Sequence, residues 1–166
     1  MKKNQKGFSL IELLIVVAII LIIAAIAIPN LLRARMAANE ASAVGSTRTI
    51  NTAEVTYNST YPTVGFSANL LSLGGPAGAA CTPTTSSACL LDNALSTGTK
   101  SGYTFIANSV AGGPPTVSYI AAATPVTVNQ TGIRSFCSYE DAVVRAQPSG
   151  AAVTAVGQCQ LLTPLN

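Results

Sequence analysis

The chain has 166 residues, 49% of them hydrophobic and only 9% charged, with a formal net charge of +3. Lys2, Lys3 and Lys6 supply all of that excess, so nothing from Phe8 onward forms the basic stripe that nucleic-acid binding needs. The absence of His removes the usual general base and the commonest zinc ligand, which leaves little from which to build a catalytic centre.

Residues 1–7, MKKNQKG, read as a basic leader. Directly after it, Phe8 to Ile28 is apolar apart from Ser9 and Glu12. As a helix this segment reaches roughly 30 Å, the thickness of a bilayer's hydrocarbon layer. The three lysines bias its N-terminus toward the cytoplasm, and Arg33 and Arg35 on the far side weaken that bias. An ordinary secretory signal is cut after its apolar core, whereas here the basic leader ends at Gly7, before the core. Cleavage between Gly7 and Phe8 leaves the helix on the mature protein and creates an amino group at Phe8.

Glu12 sits inside this oily segment, where a carboxylate at the bilayer centre costs about 2.5–3.5 kcal/mol. The new cation offers a reason for it. When subunits stack with a stagger, the Glu12 carboxylate of one meets the Phe8 amine of the next, and pairing relieves the burial of both charges. The competing reading is a plain signal anchor whose Glu12 snorkels to the interface.

The residues KGFSLIELL resemble the processing and assembly signal of type IV pilins and of their relatives, the pseudopilins of type II secretion. The resemblance implies Gly7 as the prepilin peptidase cleavage residue, Phe8 as the N-methylated terminus and Glu12 as the assembly carboxylate. It also implies an α+β pilin fold, in which a long N-terminal helix packs on a three- to four-stranded antiparallel sheet. The implied partners are identical subunits in a helical homopolymer, the prepilin peptidase, and an inner-membrane assembly platform driven by a cytoplasmic ATPase. Membrane lipid holds the precursor, head in the periplasm, until it enters an extracellular pilus. No cofactor, metal or nucleic acid is implied.

Residues 8–30 are therefore expected as the membrane and filament-core helix, and 31–60 as its amphipathic continuation in a head domain. Pro29 lacks an N–H and crowds the Ala25 carbonyl, so a kink is expected there. Leu21 stands where the family often has a glycine, which implies a stiffer first half. Met36, Ala43, Ile50 and Tyr57 recur every seven residues, with Ala53 beside them, and predict the face that packs on a sheet. The helix should stop near Asn58–Pro62.

Residues 61–101 read as a helix-to-sheet loop rich in Gly, Pro, Ser and Thr, with a short helical piece around Ala68–Leu73. In 102–166, GYTFIANSV, VSYIAAAT, IRSFCSY and AVVRAQ have strand composition, the last two flanking a turn at Glu140-Asp141 that lacks a Gly. Four cysteines, Cys81, Cys89, Cys137 and Cys159, in an exported domain read as two disulfides. Three pairings exist, of which Cys81–Cys89 with Cys137–Cys159 closes the shortest loops. Free or zinc-bound thiols are the alternative, and the CxxC spacing that zinc favours is missing.

Asp92, Glu140 and Asp141 are too scattered for a calcium site. The acidic C-terminal loop of major pseudopilins has no counterpart after Asp141, which favours a pilin over a pseudopilin. The expected function is a non-enzymatic structural subunit, a major pilin serving adhesion, motility or uptake. The alternative is a pseudopilin of a type II secretion or DNA-uptake machine.

Overall fold

The computed structural model describes residues 8–76, 80–110 and 112–165 and divides into two compact units, Met1–Arg35 and Met36–Asn166. Helix α1 (Leu10–Thr60) begins in the first unit and ends in the second. Within the first unit the helix is unbroken through Pro29, and its large aliphatic side chains are exposed.

The second half of α1 is rich in Ser and Thr, poor helix formers because their hydroxyls compete for backbone partners. Here the competition is turned inward. Thr47, Thr49, Thr52, Thr56, Ser59 and Thr60 each donate to the carbonyl four residues earlier, at 2.8–3.1 Å. The helix closes with the Tyr61 N–H on the Tyr57 carbonyl at 2.8 Å, immediately before Pro62.

Two one-turn helices follow, α2 (Leu70–Leu73) and α3 (Asn93–Ser96). Each is started by a side-chain cap: Asn69 accepts from the Ser72 N–H, and Asp92 accepts from the Leu95 N–H. The expected helical piece at 68–73 is thus a short turn, and a second one lies in the same connection.

The sheet is an antiparallel meander in the order β1-β2-β3-β4-β5-β6. Its strands are β1 (Thr99–Lys100), β2 (Tyr103–Ser109), β3 (Tyr119–Pro125), β4 (Ser135–Tyr139), β5 (Arg145–Gln147) and β6 (Thr163–Pro164). Four correspond to the segments predicted from composition. The two outer strands are two residues each, too short to leave a periodic signal. The turn between β4 and β5 manages without glycine because Ala142 itself takes a left-handed φ of 58°, with its N–H on the Tyr139 carbonyl at 2.8 Å. Asp141 braces that turn, accepting from the Val143 N–H at 2.9 Å and from Arg145.

The α+β architecture is as expected, a long N-terminal helix packed against an antiparallel sheet, but the sheet is covered on both faces. On one face Ala43, Ile50, Ala53 and Tyr57 of α1 share a core with Tyr103, Phe105, Tyr119, Ala121, Ala123 and Phe136. The predicted heptad stripe is that helix face, with Met36 only half-buried at its start. On the other face Ile120, Ala122 and Cys137 meet Val153 and Cys159, next to helix α4 (Val156–Gln160). The central strand β3 is therefore buried on both sides, which explains its unalternating run of Ile and Ala.

Candidate functional site

At the start of α1, Ser9 is the N-cap: its carbonyl accepts the first intrahelical bond, from the Leu13 N–H at 3.2 Å. Three positions on, the Glu12 carboxylate turns back, and its Oε2 accepts from the Ser9 N–H at 3.0 Å. This is the return half of a capping box, S-x-x-E, in which a glutamate at the third helical position satisfies an orphan donor. A negative charge in a helix's first turn also opposes the positive end of the helix dipole. The S-x-x-E spacing is visible in the sequence, where a charge in an oily segment is the more conspicuous property of the same residue.

Phe8 is 80% exposed and Leu10 is 78% exposed, and the aliphatic side chains through Ile28 stay largely uncovered. It is the one helix among the described residues long and apolar enough to cross a membrane. Gly7 and the rest of the leader lie outside the described residues, so the structure carries no view of the bond expected to be cut. Phe8 precedes the helix, and Glu12 lies in its first turn.

Elsewhere the acids of the head are engaged. Glu40 accepts from the Ile133 and Arg134 N–H groups at 2.9 and 3.1 Å through Oε1, and from the Arg134 guanidinium at 3.0 and 2.7 Å through Oε2. Burial pushes its carboxyl up, and these bonds more than reverse that, holding it below the usual range. Asp92 pairs with Lys100 at 3.0 Å and Asp141 with Arg145 at 2.6 Å, while Glu140 accepts from the Ser118 hydroxyl at 2.6 Å. Glu54 is fully buried, with Ser67 donating to it from its N–H at 2.9 Å and its hydroxyl at 2.7 Å. Burial raises its carboxyl above the ordinary value despite both bonds. Neither Glu40 nor Glu54 stands out in the sequence, since each is one acid in a polar helical stretch.

The cysteines are joined as Cys81–Cys89 and Cys137–Cys159. The first clamps a loop whose Thr85 carbonyl accepts from the Tyr57 hydroxyl at 2.6 Å. The second is buried beneath α4 and holds the C-terminal segment to β4.

Residues 2–28 match the sequence family of the prokaryotic N-terminal methylation motif. The chain is also similar to the type IV wide pilus major component PilA4 of Thermus thermophilus, with 68% identity over 38 residues. Both likenesses support a type IV pilin family. The similarity to PilA4 spans 23% of this chain and 29% of the relative, so the chain is matched over less than a third of that protein's length. No solved structure matches the chain. The motif match covers the segment that carries Phe8 and Glu12, while the head is described by its own fold.

Proposed function

We propose that this protein is a non-enzymatic structural subunit, the major pilin of a type IV pilus. A prepilin peptidase cleaves it after Gly7 and methylates Phe8, and an inner-membrane platform with a cytoplasmic ATPase draws it from the bilayer into an extracellular filament of identical subunits. The observation that carries this reading is the uncovered apolar helix headed by Phe8 and Glu12. Lipid covers that surface in the precursor, and other copies of the same helix cover it in the filament. Adhesion, motility and uptake are the activities such a filament serves.

The Ser9 N–H occupies Oε2 of Glu12, and among the described residues Oε1 has no donor. In the assembled state Oε1 takes the Phe8 ammonium of a neighbouring subunit. The intrachain bond matters for this step because it fixes the carboxylate at the helix start before the neighbour arrives. Pro29 is assigned the weak point at which the helix bends or stretches on entry to the filament. The pseudopilin alternative is disfavoured by the lack of acids after Asp141, and the similarity to PilA4, a major pilus component, supports the pilin reading.

Mass spectrometry of sheared extracellular filaments tests the proposal. It should find this polypeptide beginning at a methylated Phe8. The Glu12→Ala variant should still be cut but should give few filaments by electron microscopy. Filaments in normal number from that variant would reject the pairing, and surface filaments lacking this chain would reject the function.

A further inference from the structure

The connection between β3 and β4 contains a concentration of exposed aliphatic side chains unlike the rest of the head. Val126 is 57% exposed, Val128 40% and Ile133 46%. The loop closes on itself: Val128 bridges Gly132, and the Asn129 N–H donates to the Gly132 carbonyl at 2.8 Å. This sets Val128 against Gly132, the residue before Ile133. Among the described residues, the other large exposed aliphatics of the head, Val55, Leu71, Val117, Val143 and Leu161, belong to five separate segments.

We propose that this loop is a membrane-contact surface, with Val126, Val128 and Ile133 resting in the interface of the bilayer that holds the same chain's apolar helix. The proposal rests on the membrane-anchored precursor described above. Three features fit a lipid interface as the occupant. No charged side chain occurs from Pro125 through Ile133, so nothing there demands bulk water. Many of the loop's amides are already paired: Val126 with the Gly102 carbonyl, Thr127 with Thr131 Oγ1, Gln130 and Thr131 with the Thr127 carbonyl, and Ile133 with Glu40. Unpaired amides are what a water-poor interface penalises.

The third feature is the tether. Asn39 donates to the Thr131 carbonyl at 2.8 Å and Glu40 accepts from Ile133, so the loop is latched to the first turns of α1 within the head. Ile28 closes the apolar run only eleven residues before Asn39. Even fully extended, that link spans no more than about 40 Å. The tether alone keeps the loop at high effective concentration beside the bilayer, so a weak affinity suffices to seat it.

The chain contains no Trp, which permits single-Trp reporters in the full-length protein reconstituted in phosphatidylcholine vesicles. Val128→Trp marks the loop. Val117→Trp marks the other end of β3, about 20 Å away along the strand. Leu21→Trp marks the apolar helix. Brominated lipid should quench Trp emission at 128 and at 21 by about twofold and leave position 117 unchanged, since Trp favours the interface wherever it can reach it. The comparison with 117 controls for Trp's own affinity for lipid.

Equal quenching at 128 and 117 would overturn the proposal. So would a Trp at 128 that is shielded in sheared filaments yet unquenched in vesicles, a result that would assign the loop to a second copy. Quenching at 21 without quenching at 128 rejects the loop contact and leaves the anchor reading intact. An unquenched Trp at 21 removes the anchor reading and the loop contact together.

Discussion

Replacing Glu40 by alanine should destabilise the head by about 2–3 kcal/mol, within the range for breaking a buried charge-assisted hydrogen-bond network. The magnitude comes mainly from one oxygen. Oε1 accepts two backbone N–H groups, of Ile133 and Arg134, and truncation leaves both without a partner. The Arg134 side chain, 45% exposed, recovers solvent when Oε2 is lost, so its fork adds little. Arg134→Gln should accordingly cost less than about 1 kcal/mol. For a head of this size the Glu40 loss corresponds to a fall in melting temperature of roughly 8–12 °C, read by circular dichroism on the detergent-solubilised chain. The effect also has a pH signature. Because the folded carboxyl titrates below its unfolded value near 4.3, its stabilisation is complete above that pH and disappears as pH falls through the folded value. The gap between wild type and Glu40→Ala should therefore close in acid. An Arg134→Gln variant as damaged as Glu40→Ala would refute the assignment to the backbone pair.

Glu54 should show the opposite sign. Its folded carboxyl is raised by burial, so its contribution falls as pH rises from about 4.3 through the folded value. Glu54→Gln should gain on wild type between pH 4.5 and 7.5 in urea midpoints, and a constant difference would contradict the argument. Asn51 donates to the Ser138 hydroxyl at 2.9 Å and the Ala142 carbonyl at 3.2 Å, and accepts from the Tyr119 hydroxyl at 3.1 Å. Asn51→Ala should cost roughly 2–3 kcal/mol by stranding these groups, measured by equilibrium denaturation. Paired Cys→Ser changes should rank by loop length. Chain entropy gives about 3.4 kcal/mol for Cys137–Cys159 and about 2.5 kcal/mol for Cys81–Cys89. Burial of the former pair adds to its loss, so a larger effect at Cys81–Cys89 would count against this ranking.

The helix and its inward face were legible because both leave periodic signals. A seven-residue spacing of Met36, Ala43, Ile50 and Tyr57 survives whatever the surrounding polar residues do. The four longer strands were legible from β-branched and aromatic content. Strands β1 and β6 were not, because two residues have no period and owe their conformation to the neighbour they pair with. The second covered face was hidden for a related reason: β3 presents Ile120 and Ala122 outward, and small residues do not announce what lies over them. At the N-terminus the apolar run and the single acid within it were plain from composition and order. The bond from Ser9 was written in the spacing but competes with a more conspicuous explanation for the same glutamate. Glu40 and Glu54 depend on partners at 133–134 and at 67, pairings that only a folded chain brings about.

The meander's borders bear on how crowded copies avoid the wrong kind of union. β1 and β6, the outermost strands, are two residues long; one carries a lysine and the other ends in a proline, which offers no amide hydrogen. Such rims make poor templates for recruiting a stranger's backbone into a continuous ribbon. Molecules packed side by side at high density can then stay separate as folded bodies, and any lengthening into fibres is steered away from amyloid-like stacking toward whatever their rods permit.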